Sequence, residues 1–281
     1  LPVVFLNGYF VVVFPKKRQD MASVAQYIQS LLQVGRYHFA IEDAVSSLSK
    51  KREATVRALS RLRAKGELAI PQRGFYVIIP PEYRALGCLP AEQFVPQLME
   101  HRRQPYYAAL LSAAQLHGAA HQKPQCFQVM VGKPLPVISC GLVQVVFHVR
   151  ARVEHVGTSA MNTPRGQILV SSPEATGLDL VGYVKHAGGL DNVATVLSEL
   201  AELMTSNKLV DEARMAPISW SQRLGYLLEK LGYARVARDL KGYVAEHAQR
   251  VTPLESHAPR TGAERANDWK VAITRKVEPD L

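Results

Sequence analysis

The chain has 281 residues and no low-complexity tract, and its 47% hydrophobic content suffices for a sizeable core in one large or two modest domains. A net charge of +10, with an isoelectric point near 9.6, selects for acidic partners. Cys88, Cys126 and Cys140 are widely spaced, odd in number and free of any Cys-x-x-Cys pair, which excludes a disulfide framework and indicates a reducing, cytoplasmic setting.

The opening, LPVVFLNGYFVVVFPKKRQD, is apolar as far as Phe14 and then basic. It is too short to span a membrane, and it lacks the basic leading segment and small-residue cleavage site of a signal peptide. The run VVVF reads as a strand. We assign residues 1–20 to a leader or upstream segment, with Met21 as the natural start, and leave them out of the fold argument.

Residues 21–80 read as a winged helix-turn-helix. A first helix over 22–34 places Val24, Ile28, Leu31 and Leu32 on one face and stops at Gly35. A second, over 41–48, buries Ala44, Val45 and Leu48, although Ala40 supplies no capping side chain. The third begins at Ser49, read as its N-cap, and ends at Gly66. In it Val56, Leu59 and Leu62 form an apolar stripe, while Arg57, Arg61 and Lys65 recur every four residues on another face. Lys50, Lys51, Arg52 and Arg63 add to that charge, against the single acid Glu53. Strands at 68–70 and 75–79 then flank the basic turn Pro71-Gln72-Arg73-Gly74. A basic helix alone is often only a solvated face. The hairpin directly after it, with Arg73 at the tip, favours a DNA reader. Charge is distributed accordingly: residues 21–80 hold nine Lys/Arg and four Asp/Glu, whereas residues 81–281 hold twenty-two and nineteen.

Pro80-Pro81 closes this module, residues 81–90 connect, and residues 91–281 read as a mixed α/β domain. Its expected helices are 91–100, 106–116, 173–184, 191–204, 221–231 and 234–245. Its expected strands are 127–131, 143–150, 167–170 and 269–277, with 207–216 as a joining segment and 252–267 as a loop. The fold class is therefore α+β.

No glycine-rich phosphate loop, no Gly-Ser pair followed by metal-binding acids and no Ser/His/Asp order is present. His117 and His121 are four apart, but Gly118 and Lys123-Pro124 end the helix there and no Glu adjoins His117. They read as hydrogen-bonded structural histidines, and neither a metal nor a cofactor is expected. Glu174 and Asp179, five apart, share no helix face well; an acid at 174 suits the helix dipole. These two acids would serve a nuclease-like enzyme, one alternative function; a ligand-responsive regulator is the other. Leu224, Leu227, Leu228 and Leu231 read as core packing.

Five stretches in order resemble AbiEi-type antitoxins, the regulator half of type IV toxin–antitoxin (abortive infection) pairs. They are RGFYVIIPPEYRALG (73–87), YYAALLSAAQLHGAAHQKPQCFQVMV (106–131), SPEATGLDLVGYVKHAGGLDNV (172–193), QRLGYLLEKLG (222–232) and WKVAITRKVEPDL (269–281). The block at 117–122 is the most specific. The resemblance implies a winged helix that binds promoter inverted repeats and represses its own operon. It also implies a C-terminal domain that neutralises a nucleotidyltransferase-type toxin without a stable complex, no enzymatic activity, and two copies assembled on DNA. The DNA-binding set expected here is Lys50, Lys51, Arg52, Arg57, Arg61, Lys65 and Arg73. Arg57 and Arg61 enter the major groove, Lys65 contacts phosphate, and Arg73 reaches the backbone or minor groove. His117, His121, Gln122, Glu174 and Asp179 mark the antitoxin-domain motif, without an assigned role.

Overall fold

The computed structural model describes residues 3–6, 9–12, 23–119, 124–256, 258–259 and 261–279. The chain divides into two compact units, Leu1–Cys88 and Leu89–Leu281.

In the first unit, strands β1 (Val3–Leu6) and β2 (Tyr9–Val12) pair antiparallel. Helix α1 (Val24–Gln33) opens on a capping box: the Ser23 hydroxyl accepts from the Gln26 amide at 3.2 Å, and the Gln26 side chain accepts from the Ser23 amide at 3.1 Å. Strand β3 (His38–Ala40), helices α2 (Ile41–Leu48) and α3 (Arg52–Ala64), and strands β4 (Leu68–Gln72) and β5 (Phe75–Ile78) follow. The three strands form an antiparallel sheet in the order β3-β5-β4. Its core is built by Tyr27, Leu31, Phe39, Ile41, Ala44, Leu48, Leu59 and Tyr76, with the Phe39 and Tyr76 rings stacked at 5.2 Å.

Three expectations are corrected here. Ser49 does not cap α3. It closes α2 in the left-handed conformation at φ 49°, because reversing the chain within three residues needs such a kink, and Lys51 takes the N-cap position without a side-chain bond. Val56 is 37% exposed; Thr55 is fully buried instead, so the inward stripe of α3 runs Thr55, Leu59, Leu62. The hairpin turn is also tighter than the four residues read from sequence, since Gln72 already pairs with Phe75 across Arg73-Gly74. Gly66 does end α3: at φ 72° its amide donates to Arg63 and the next amide, of Glu67, to Leu62, which satisfies two terminal carbonyls.

The second unit begins with α4 (Val95–Arg102), β6 (Tyr106–Ala108), α5 (Leu110–Leu116) and β7 (Phe127–Val131). Strands β8 (Ile138–Cys140), β9 (Val143–Val149), β10 (Thr158–Thr163) and β11 (Gly166–Ser171) complete a six-stranded mixed sheet, ordered β10-β11-β6-β7-β9-β8. Helices α6 (Pro173–Gly182), α7 (Leu190–Leu200), α8 (Ser206–Ala213), α9 (Ile218–Lys230) and α10 (Ala234–His247) follow. Strands β12 (Thr252–Pro253), β13 (Glu264–Ala266) and β14 (Val271–Ile273) close the unit as a small sheet. Helix α6 is buried from Glu174 to Val181, capped by the Ser172 hydroxyl, which accepts from the Ala175 amide at 3.1 Å.

Residues 106–108 are a strand rather than the start of a helix. They fill the sheet between β11 and β7, and Leu110, at φ 53°, turns the chain at the start of α5. The segment 207–216, read as a join, largely belongs to α8. The final strand shrinks to Val271–Ile273, with Trp269 in a single 3₁₀ turn before it. The leucines of α9 pack as core: Leu224, Leu227 and Leu228 are fully buried and Leu231 lies against them.

Candidate nucleic-acid interface

Helix α3 is seated by Thr55 and Leu59 against the core of the first unit, which turns its basic residues outward. Lys50, Lys51, Arg52, Arg57, Arg61, Arg63 and Lys65 are all exposed, as is Arg73 at the β4–β5 turn. Arg52 is engaged by Glu42 of α2 at 3.0 Å, an exposed pair that fixes an orientation more than it stabilises. Among the described residues, Arg57, Arg61 and Lys65 have no ion-pair or hydrogen-bond partner for their side chains, so this row presents uncompensated charge. The Ile41 amide donates to the Gly74 carbonyl at 2.8 Å, tying the hairpin turn that carries Arg73 to the start of α2. Asp43 accepts from the Ala40 amide at 3.4 Å and pairs with Arg36 at 2.9 Å, which supplies the capping contact that Ala40 lacks. Glu42 and Arg63 were absent from the expected contact set. Their signal is positional, since Glu42 faces Arg52 only once the α2–α3 turn is known.

In the second unit the motif residues have separate tasks. His117 ends α5, and its Nε2–H donates to the Ser171 carbonyl at 2.7 Å, joining that helix to the end of β11. His121 and Gln122 lie outside the described residues. Glu174 accepts from the Thr205 amide at 2.9 Å and from its hydroxyl at 3.3 Å, and so anchors the start of α8. Asp179 is fully buried and belongs to a closed triangle. The Tyr107 hydroxyl donates to Asp179 Oδ2 at 3.0 Å, and Arg150 Nη1 donates both to Asp179 Oδ1 and to the Tyr107 oxygen. Burial pushes the Asp179 carboxyl up to about 6, against the opposing pull of Arg150 and Tyr107. The Arg150 guanidinium also lies over the Trp220 ring, 5.5 Å from its centroid. The two acids therefore serve different partners, and among the described residues no three His, Cys, Asp or Glu side chains gather to hold a metal. No helix among them is long and apolar enough to cross a membrane.

Sequence reasoning missed Tyr107 and Arg150. Arg150 had one available signal, a cation directly ending the apolar run VQVVFHV; Tyr107 was hidden inside a segment read as helix.

The family model of the AbiEi antitoxin C-terminal domain matches residues 107–230, a stretch that opens on Tyr107 and includes Arg150, Glu174 and Asp179. No protein of curated function matches the chain. The crystal structure of the RV2827C protein from Mycobacterium tuberculosis shares the fold, with a TM-score of 0.63 and 18% identity over 92% of this chain and 94% of that one. The stretch 107–230, which lies within the second unit, is thus similar to the C-terminal domain of AbiEi antitoxins.

Proposed function

We propose that the first unit is a winged helix-turn-helix that binds promoter inverted repeats, and that the chain neutralises a nucleotidyltransferase-type toxin while repressing its own operon. The observation that carries the DNA half is the row Arg57, Arg61, Lys65, which is exposed, evenly spaced and free of acidic partners. On this reading α3 enters the major groove, where Arg57 and Arg61 pair with guanine acceptors. Lys50, Lys51 and Lys65 contact phosphates, Arg52 is presented by Glu42, and Arg73 of the β4–β5 wing meets the adjacent backbone or minor groove. Repeats bind two copies. The toxin half rests on the family match at residues 107–230, with neutralisation proceeding without a stable complex.

The test is a fluorescence titration of promoter duplex at several salt concentrations. Affinity falls steeply with salt as phosphate counterions are released. Arg57→Ala or Arg61→Ala each weakens a matched site by about 1–3 kcal/mol, while Lys65→Ala weakens all duplexes uniformly. Operator affinity within about twofold of wild type in both arginine variants would refute the groove assignment.

A further inference from the structure

The second unit holds a cleft of about 460 Å³ that neither the basic face of α3 nor the Tyr107–Arg150–Asp179 triangle uses. Tyr183, Lys185 and His186, from the turn after α6, form one wall; Glu255 and Ser256, just after β12, form the other. Aromatic rings crowd the first wall. The Tyr183 and His186 centroids are 6.3 Å apart, and His148 of β9 lies against both, at 5.9 and 4.5 Å. His148 is 7% exposed and its Nε2 has no hydrogen-bond partner. The Tyr183 hydroxyl donates to the Val149 carbonyl, and Trp220 meets the Tyr183 ring edge-on at 5.5 Å, so this ring is held in place as a wall.

The polar groups at the rim are of two kinds. Lys185 and His186 are exposed, and among the described residues their side chains form no ion pair or hydrogen bond. Glu255 lies 3.6 Å from Arg275, which Asp191 also engages, so its carboxylate remains able to accept. A held ring wall, a free ammonium and a carboxylate acceptor in one cleft match the three parts of a nucleotide. Base stacks on rings, phosphate meets cations, and ribose hydroxyls donate to a carboxylate. A bare anion would make no use of the rings, and an apolar ligand would strand Lys185 and Glu255. The volume falls within the range of about 300–1,000 Å³ usual for small-ligand sites.

We propose that this cleft binds a nucleoside monophosphate, with its base against Tyr183, its phosphate at Lys185 and His186, and its ribose at Glu255. The site is built from residues of the second unit alone.

The probe is AMP, titrated by calorimetry into the full chain, with adenosine and inorganic phosphate as partial ligands. AMP binds saturably. Lys185→Ala weakens AMP by about tenfold and leaves adenosine within about twofold, because the lost contact is to phosphate. Glu255→Gln weakens AMP and adenosine alike. Both side chains reach solvent, and unchanged melting temperatures will verify that the variants fold. Trp220, packed on Tyr183, reports from inside the chain: its fluorescence changes as AMP saturates. A 5′-phosphorylated RNA oligonucleotide that competes with AMP identifies a strand end as the natural source; failure to compete identifies a free mononucleotide. No saturable AMP binding up to about 5 mM, a concentration corresponding to a binding energy of only about 3 kcal/mol, overturns the proposal. An AMP affinity unaffected by Lys185→Ala, or a silent Trp220, overturns it equally.

Discussion

At the scale of single residues, the second unit depends on charge removed from water and paired there. Asp179 and Arg150 are 0% and 3% exposed at the side chain, and Tyr107 closes the triangle between them. Deleting one member leaves the other buried and uncompensated. Arg150→Ala is therefore expected to cost about 3–5 kcal/mol in urea unfolding, and a joint Arg150→Met, Asp179→Asn change to recover part of that loss. His148 makes a separate, pH-dependent contribution. Burial, reinforced by the neighbouring His186, lowers its pKa from 6.5 to about 4. Between those values the unfolded chain binds more protons than the folded one. This contribution is fully present above pH 6.5 and is lost as pH falls toward 4. Asp179 acts in the opposite sense: its carboxyl, raised from 3.8 to about 6, favours the folded state below 3.8 and withdraws that support as pH rises through 6. His148→Leu should accordingly flatten the acid limb of a plot of urea midpoint against pH. An unchanged acid limb would show that other groups govern it.

At the scale of elements, α3 shows which features of a helix can be read from residue order. Its charge row and its end at Gly66 were legible, because a four-residue repeat and a glycine stop are local signals. Its seat was not. Burying Thr55 and exposing Val56 contradicts hydrophobicity, and only the packing of α3 against α1 and α2 decides it. The Thr55 hydroxyl has no hydrogen-bond partner. Thr55→Val should thus raise stability by about 1 kcal/mol while leaving operator affinity unchanged, since the residue faces away from the basic row. Short strands were the other blind spot. β3, β6 and β8 have three residues each, too few for alternation to register, and β6 acquires its identity from β7 and β11 on either side. The contact between α9 and Trp269 was equally invisible. A Cβ on Gly225 would lie 1.9 Å from the Trp269 ring, so Gly225→Ala is expected to destabilise the chain by about 1–3 kcal/mol through overpacking. A melting temperature equal to wild type would mean that the ring has another place to go.

At the scale of the whole molecule, the chain joins two units whose chemistry differs. The cationic row lies in the unit that ends at Cys88, and the family match, residues 107–230, lies wholly in the other. The basic excess of residues 21–80 and the near balance of residues 81–281 made that asymmetry visible in composition alone. The triangle around Arg150 was hidden because its members lie 29 to 72 positions apart and meet only once β6, the end of β9 and α6 are packed together. If repression and neutralisation are divided between the units, one substitution set should separate them. Co-expression of the neighbouring toxin with the full chain should restore growth. The Arg57→Ala, Arg61→Ala double variant should restore it equally while a promoter reporter escapes repression, because those side chains stand on the surface of the first unit and support no core. Arg150→Ala should do the reverse at a temperature where the second unit is unstable, losing rescue through the fold on which the antitoxin domain depends. Equal loss of both activities in the arginine double variant, with the protein still folded and abundant, would mean that DNA binding is part of neutralisation, and the division of labour would fall.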